Sequence, residues 1–383
     1  MNDFRIFILG AGFSYEAGLP LASEVWQEVK NRLRHERGLG DELEFQLREY
    51  DRYRASKGED KTEEIDFEDF LAFLDIDHAL GLKGSDQFSS EGNRLQLAIR
   101  WLIAQIIVER TPSPDEIPEF YLDFARSLQP HDTIVTFNYD TLLERALDRV
   151  GKSYRLFPER YDEVGNSVGY IDSSKEEIVV RKLHGSVDWF DRTSYSQREE
   201  SFEEMGVSDK PDDLIFGPKS PIETSPLLEG PQFPDDPLQT VHRVTEDLNR
   251  LYRRDPPILS APMLLAPSRM KVLYADRLSS LFWGLGQAGG MNLGVIVIGY
   301  SLPSHDNYAR RILMHMFRNY QEMYWGADFM GAKKEPALMI DFRNSEESRR
   351  KYKKVYGFTD EEKTSYYFNG FDEEAVSFIQ QVT

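Results

Sequence analysis

Three polar residues in this sequence, Asn138, Asp140 and His184, have the types and the positions to carry out chemistry. They follow short apolar runs, in the stretches TIVTFNYD and IVVRKLHG. An asparagine amide both donates and accepts hydrogen bonds, and a histidine can remove a proton near neutral pH. Polar residues at strand ends lie where open α/β sheets place their ligands. Each residue also has a structural reading, because Asn138 or Asp140 could cap the following helix and His184 could be a buried strand-end histidine.

A second candidate site is the glycine-rich turn near the N-terminus. Residues 4–9 form an apolar run that stops at Gly10 and Gly12 and continues into a helical pattern. Strand, glycine turn and helix are common among nucleotide binders, because backbone amides at the start of a helix point at anions. The stretch does not fit the ordinary dinucleotide fingerprint, which would have glycine where this chain has Tyr15. Ser14 could cap the helix and also touch a phosphate.

The elements that must position these residues form an alternating series of strands and helices. Buried apolar runs predict strands over residues 4–9, 134–135, 178–180, 295–298 and 336–342. Amphipathic patterns between them predict helices. Sequential strand–helix units imply an α/β fold with a Rossmann-like, mostly parallel sheet and helices on both faces.

The domain organisation follows from the spacing of these elements. We expect residues 1–30 and 131–383 to form the domain that contains the sheet and the site. Residues 31–130 are helical in pattern and predict a helical insertion between the first strand and the rest of the sheet. Residues 191–262 are rich in proline, acidic and hydroxyl side chains and predict a long irregular segment within the sheet domain.

Composition narrows the possible functions. The chain has no cysteine, which excludes disulfides, thiolate metal sites and a cysteine nucleophile. Because the histidines show no metal-ligand spacing, no metal is expected. The formal net charge of −20 argues against direct binding to nucleic acid. No apolar run approaches the roughly 20 residues that span a bilayer, and the N-terminal run is too short for a signal peptide. We therefore expect a cytoplasmic protein without a membrane partner.

Four strand-end motifs, taken together, resemble those of the sirtuin family. They are GAGFS from Gly10, NYD from Asn138, LHGS from Leu183 and GYSLP from Gly299, with Asp306 downstream. The order and content are most similar to bacterial sirtuin-like NAD hydrolases of anti-phage defence systems. The motifs reach from residue 8 to about residue 341, so the resemblance covers most of the chain.

The resemblance implies that NAD is bound as a substrate and that its nicotinamide–ribose bond is cleaved. It assigns Asn138 to orient the ribose or the attacking water, His184 to act as general base, and Asp140 to hold the ribose–nicotinamide end. Asp306 is expected only to cap the helix over residues 307–318. The resemblance implies that the pyrophosphate is bound by Gly10, Ala11, Gly12 and Ser14. It implies that the adenosine half is bound by Gly299, Tyr300, Ser301 and Asp341.

Two departures from the deacylating sirtuins decide between activities. Those enzymes carry a zinc ribbon of four cysteines, which this chain cannot form because it has no cysteine. The Pro-Asp-Phe-Arg that usually follows their glycine loop is also missing from this sequence. The resemblance therefore favours an NAD hydrolase that depletes NAD in abortive infection. A deacylase without zinc and a noncatalytic module that senses NAD or ADP-ribose remain as alternatives.

The resemblance also bears on partners. An NAD-depleting enzyme must be held inactive in a growing cell, and the sequence shows no obvious sensor domain. We therefore expect control in trans, by homo-oligomerisation or by a separate protein. Related two-component systems pair such a domain with a hexameric ATPase/helicase or an Argonaute-type protein.

Overall fold

The structure is a computed structural model of the 383-residue chain. It describes residues 4–36, 38–58, 65, 67–82, 92–157, 160–165, 168–172, 174–254, 260–265, 276–304, 306–327 and 333–382.

The described part of the chain contains strands and helices in a mixed order. The strands are β1 (Arg5–Leu9), β2 (Thr133–Thr136), β3 (Tyr154–Leu156), β4 (Tyr161–Val164), β5 (Gly169–Ile171), β6 (Ile178–Lys182), β7 (Trp189–Asp191), β8 (Thr224–Pro226), β9 (Val241–Val244), β10 (Gly294–Ile298), β11 (Ala337–Ile340) and β12 (Thr364–Tyr367). The helices are α1 (Ala11–Tyr15), α2 (Ala22–His35), α3 (Leu39–Ser56), α4 (Phe67–Ala79), α5 (Arg94–Arg110), α6 (Glu119–Ser127), α7 (Leu142–Val150), α8 (Thr193–Glu204), α9 (Leu248–Tyr252), α10 (Asn307–Glu322), α11 (Glu346–Val355) and α12 (Glu373–Val382). Six consecutive helices follow β1 in the described residues, and these strands and helices alternate regularly from β9 to the last helix.

The central sheet has seven strands in the order β12-β11-β10-β1-β2-β6-β3. Every neighbouring pair in it is parallel. All residues of β1, β10 and β11 are buried, as expected for parallel strands that are covered on both faces. The prediction of an α/β fold with a mostly parallel sheet is confirmed.

Helices cover both faces of this sheet, and β1 contributes to both cores. Phe7 and Leu9 belong to one apolar cluster, which includes residues of α2, α5, α6, α7 and α12. Ile6 and Ile8 belong to the other cluster, which includes residues of α10 and α11. This division follows from the alternation of side chains along a strand.

The described helices α1 to α6 lie between β1 and β2, in the stretch that includes the predicted insertion. The expected boundary between residues 30 and 31 falls inside α2. Buried residues of α2 and α5, such as Val29 and Ile103, lie in the same cluster as Phe7 of the sheet. The inserted helices therefore share a hydrophobic core with one face of the sheet.

The prediction of an irregular segment over residues 191–262 is wrong in part. The segment contains α8 and α9, and β8 and β9 pair with β7 in an antiparallel sheet of order β7-β9-β8. Among the prolines of this segment that the structure describes, all but Pro226 lie in connections. Pro226 ends β8, and β8 is an edge strand, where a missing N–H can be tolerated.

No helix in the described part of the chain combines the length and the apolar composition that a bilayer crossing requires.

Candidate functional site

A cavity of about 920 Å³ opens at the carboxyl edge of the sheet. It lies beside the ends of β1, β2, β6, β10 and β11. The chain connections run to opposite sides of β1 here, which is the usual ligand position in open α/β sheets. The volume is in the range of small-molecule and cofactor sites. Of the predicted site residues, Gly10 is not in the cavity wall and the others are: Ala11, Gly12, Ser14, Asn138, Asp140, His184, Gly299, Tyr300, Ser301 and Asp341.

Asn138 lies in the turn after β2, and the glycine loop holds its amide. Nδ2 donates to the carbonyl oxygen of Gly10 at 2.9 Å and to Ser14 Oγ at 3.2 Å. An amide nitrogen has two hydrogens, so both are used within the protein. The carbonyl oxygen Oδ1 is therefore the atom that Asn138 offers to a ligand, and in this arrangement it can accept a hydrogen bond but Nδ2 cannot donate one.

Asp140 connects two helices at the cavity wall. Its Oδ1 accepts a hydrogen bond from the backbone N–H of Leu142 at 3.0 Å, at the first turn of α7. Its Oδ2 accepts from Ser14 Oγ in α1 at 2.9 Å. The capping role considered for Asp140 is therefore present, together with a position in the cavity wall. Asn138 makes no such bond to α7 in the described structure.

His184 follows β6, where Gly185 turns the chain. Gly185 has a φ of +81°, and a Cβ there would lie 1.8 Å from the carbonyl oxygen of Met263, so the turn requires glycine. The imidazole packs edge-on against Phe137, with ring centroids 5.0 Å apart. Its Nε2 lies 3.2 Å from Oδ2 of Asp306, and the two residues are 3% and 0% exposed.

Asp306 has a second contact that sequence reasoning missed. The expected capping bond is present, since Oδ1 accepts from the backbone N–H of Ala309 at 3.2 Å. Its other oxygen faces His184 and also accepts from the hydroxyl of Tyr300 at 3.1 Å. The available signal was the short distance in sequence between Asp306 and the end of β10, which was already predicted to lie at this edge.

The glycine loop packs directly on the end of β10. The N–H of Gly12 donates to the carbonyl oxygen of Gly299 at 2.9 Å. A Cβ at Gly10 would lie 2.6 Å from the same oxygen, and a Cβ at Gly299 would lie 2.2 Å from the nitrogen of Phe13. These glycines therefore allow two backbones to touch. The Gly12 N–H is occupied, so in this arrangement it is not available to a phosphate.

The predicted adenosine half contains one charge that was not anticipated. Tyr300 stacks on Phe137, with centroids 4.1 Å apart and planes 4° apart, while Ser301 is exposed. Asp341 follows β11, and its Oδ2 lies 3.0 Å from the guanidinium of Arg343. Burial raises the pKa of the Asp341 carboxyl, and the charge of Arg343 opposes that rise. Arg343 also lines the cavity and could contact an anionic ligand.

A buried ion pair supports the turn that carries Asn138 and Asp140. Lys182 Nζ lies 2.8 Å from Glu144 Oε1, and both side chains are nearly inaccessible. The same ammonium group donates to the backbone carbonyl of Asp140. Burial raises the pKa of the Glu144 carboxyl, and the positive charge of Lys182 opposes that rise. Strand β6 and helix α7 are thereby joined beneath the site.

Within the described ranges, no group of three or more histidine, aspartate or glutamate side chains could hold a metal ion.

Comparison with known protein families finds a match over a segment that contains part of the site. The profile of the SIR2-like domain matches residues 132–215, which include Asn138, Asp140 and His184. No curated protein matches the chain. The resemblance predicted from the motifs is thus confirmed to the extent of a SIR2-like segment that carries these three residues.

Solved structures that match the chain at low sequence identity include several sirtuins. One described as "The Structural basis of Sirtuin Substrate Affinity" is 11% identical, with 98% of this chain and 93% of that chain covered and a TM-score of 0.33. Sir2 in complex with the inhibitor EX-527, 2'-O-acetyl-ADP-ribose and a deacetylated p53 peptide is 10% identical, with 99% and 91% covered and a TM-score of 0.34. Sir2Tm bound to a propionylated peptide is 14% identical, with 99% and 91% covered and a TM-score of 0.28.

Proposed function

We propose that this protein is an NAD hydrolase, which cleaves the nicotinamide–ribose bond and releases nicotinamide and ADP-ribose. The observation that carries the proposal is the presence of Asn138 and His184 in the wall of one cavity at the sheet edge. The SIR2-like match supports the proposal, because it covers both residues. NAD is the substrate, and the cavity volume suits a ligand of the cofactor class.

The proposed reaction follows the pattern of glycoside cleavage. The bond from ribose C1' to the nicotinamide nitrogen breaks, and its electron pair leaves with neutral nicotinamide. The positive charge develops on the ribose, as in an oxocarbenium ion, and water adds to C1'. Asn138 Oδ1 accepts a hydrogen bond from the water or from a ribose hydroxyl. His184 takes the proton of the water as general base.

The remaining site residues would bind the rest of NAD. We propose that Ala11, Gly12 and Ser14 line the pyrophosphate end without the Gly12 N–H as a donor. Gly10 would act through its carbonyl oxygen, which orients Asn138. Asp140 would hold the ribose–nicotinamide end. We propose that the adenosine half is bound by the four residues predicted from the sequence, Gly299, Tyr300, Ser301 and Asp341. Arg343 is added to them as a cationic group.

The direct test is incubation of the purified protein with NAD and quantification of both products. Nicotinamide and ADP-ribose released in equal amounts, without any acylated peptide, are the expected result. Nicotinamide that forms only when an acyl-lysine peptide is added would identify a deacylase instead. NAD that binds but remains intact under every candidate activator would identify a noncatalytic sensing module.

In the cell, we propose that the enzyme is an effector of anti-phage defence that depletes NAD in abortive infection. Control would come from homo-oligomerisation or from a trans-acting partner, such as a hexameric ATPase/helicase or an Argonaute-type protein. The motif resemblance supports this role. Mass measurement together with an activity assay tests the control, because a monomer that is fully active without any partner would contradict it.

A further inference from the structure

Asp306 lies where a residue that positions His184 would be required. Its Oδ2 is 3.2 Å from Nε2 of His184, and both side chains are almost completely buried. We propose that Asp306 holds the Nε2 proton of His184, so that Nδ1 is the atom that accepts a proton during the reaction. The proposal rests on the proposed hydrolase function and adds a positioning residue to its site.

The carboxylate of Asp306 is fixed from several directions. Oδ1 accepts from the backbone N–H of Ala309 at the start of α10, and Oδ2 accepts from the hydroxyl of Tyr300. The backbone N–H of Asp306 donates to the carbonyl oxygen of Pro303 at 3.1 Å. A group held in this way does not need to reorganise when charge develops beside it, which is the basis of electrostatic preorganisation.

The loop that leads to Asp306 is held in an uncommon conformation. Leu302 has a φ of +51°, in the left-handed region that residues with a Cβ rarely adopt, and its side chain is 1% exposed. Its carbonyl oxygen accepts a hydrogen bond from Arg310 at 3.3 Å. Such backbone conformations cluster at functional sites, where the surrounding contacts maintain them. The conformation of Leu302 is therefore consistent with a loop that is shaped to bring Asp306 to His184.

Both the ring and the backbone of His184 have further contacts. The ring packs edge-on against Phe137, and the backbone carbonyl oxygen of His184 accepts a hydrogen bond from the backbone N–H of Leu265 at 2.8 Å. In a neutral imidazole, one nitrogen carries the proton and the other carries the lone pair. Because an ionised carboxylate can only accept a hydrogen bond, the proposal assigns the proton to Nε2 and the lone pair to Nδ1.

Proton transfer in the proposed step is balanced without a further reactant. The attacking water forms its bond to ribose C1' and gives one proton to Nδ1, while the Nε2 proton stays on the ring. The resulting imidazolium is stabilised by the buried carboxylate of Asp306. After the products leave, Nδ1 returns the proton to solvent.

Titratable groups in the same region as the imidazole include residues from three parts of the described structure. Tyr300 approaches from the end of β10, the ring of Tyr139 lies 6.3 Å away in the turn after β2, and Asp140 lines the same cavity. Lys182 is the last residue of β6, two residues before His184, and it is paired with Glu144. Of these groups, Asp306 is the one whose carboxylate lies within hydrogen-bond distance of the ring.

The variant Asp306→Asn tests the role, because asparagine keeps the size of the side chain and is also a favoured N-cap residue. We expect kcat to fall about tenfold to a hundredfold with little change in KM, since an acid–base partner is misaligned while substrate binding remains. The acid limb of the pH–rate profile should move to lower pH, because the protonated ring loses its carboxylate partner. The matched control is Asp247→Asn, the same change at the N-cap of α9, where Oδ1 accepts from Asn249 at 2.9 Å.

A second measurement does not depend on a variant of Asp306. Nitrogen-15 NMR of the wild-type histidine rings, with the His184 signal assigned from its loss in His184→Gln, reports which nitrogen carries the proton. We expect the Nε2-protonated form. The Nδ1-protonated form, or a folded Asp306→Asn variant with the wild-type kcat and pH profile, would overturn the proposal. If the wild-type protein releases no nicotinamide, the role of Asp306 in catalysis is contradicted together with the proposed function. The tautomer of His184 then tests only the hydrogen bond between Asp306 and His184.

Discussion

Asn138 Nδ2 donates to the carbonyl oxygen of Gly10 at 2.9 Å, which joins the turn after β2 to the glycine turn after β1. The two turns are neighbours because β1 and β2 pair in parallel, with Leu9 opposite Thr136. The bond fixes the direction of the amide, so its oxygen is left for a ligand. Gly10 thus contributes to the site by orienting the amide of Asn138.

Replacement of Asn138 should therefore affect activity in two distinct ways. Asn138→Ala removes the acceptor, and we expect the rate of nicotinamide release to fall by about two orders of magnitude. Asn138→Asp keeps an acceptor but places a carboxylate oxygen against the Gly10 carbonyl, so we expect a similar loss of rate and lower stability.

Steady-state rates and thermal melting of both variants separate these effects. If Asn138→Asp kept the wild-type rate, the orientation by Gly10 would have no functional role.

The strands that form the carboxyl edge could be predicted from the sequence, because a strand that is apolar throughout fits only inside a sheet that is covered on both faces. The stretch GVIVI, which forms β10, is apolar throughout, and only a strand that is covered on both faces buries every side chain. Strands of this kind run parallel, so their polar ends meet at one edge. Asn138 and His184 could be predicted as neighbours on that basis.

Contacts that depend on the path of a loop could not be predicted in the same way. The bond between Gly12 and Gly299 arises from a close approach of two backbones, and the same glycine pattern would also suit a phosphate loop. Asp306 contacts His184 from the loop after β10, in which Leu302 has a left-handed backbone conformation that its residue type does not predict. Strand β9 was not predicted, because polar and apolar residues do not alternate in its sequence, VHRV. The strand also pairs with β7, which is distant in sequence.

The turn at Gly185, directly after His184, provides a test of how tightly the backbone packs beside the site. Gly185→Ala places a Cβ against the Met263 carbonyl at 1.8 Å in a left-handed conformation, and we expect a loss of about 3 kcal/mol or more in the free energy of unfolding. Gly206→Ala is the matched control, because φ there is +70° but nothing lies within 4 Å of the added Cβ. It should lose only about 1 kcal/mol. Urea unfolding measures both, and equal losses would show that the contact with Met263 does not matter.

The opposite edge of the sheet contains a buried ion pair that should contribute to stability. Asp132 Oδ2 lies 2.7 Å from the guanidinium of Arg5, and the two side chains are 0% and 5% exposed. Asp132→Ala would leave the buried guanidinium without this partner, so we expect a loss of about 3–5 kcal/mol in the free energy of unfolding. The control is Asp123→Ala, since Asp123 pairs with Arg126 at the surface and should show no measurable loss. Comparable losses in the two variants would contradict the importance of burial.

The carboxyl of Asp341 should make stability depend on pH. Burial raises its pKa above the ordinary value of about 3.9, so the folded state favours the protonated carboxyl. This contribution to stability is fully present below the unfolded pKa and is lost as pH rises through the folded pKa. Asp341→Asn removes it, so the stability of the variant relative to wild type should increase between pH 4 and pH 7.

Urea unfolding at both pH values measures that difference, and Asp123→Asn at the surface is the control. A difference between Asp341→Asn and wild type that is the same at both pH values would contradict the prediction.

The most direct measurement of the central claim is the rate of nicotinamide release from NAD by wild-type protein and by His184→Ala, with no acylated peptide present and with candidate activators supplied to both. The proposed function predicts release by the wild-type protein and a rate about two orders of magnitude lower in the folded variant. Equal rates in the two proteins, or no release by the wild-type protein under any activating condition, would contradict it.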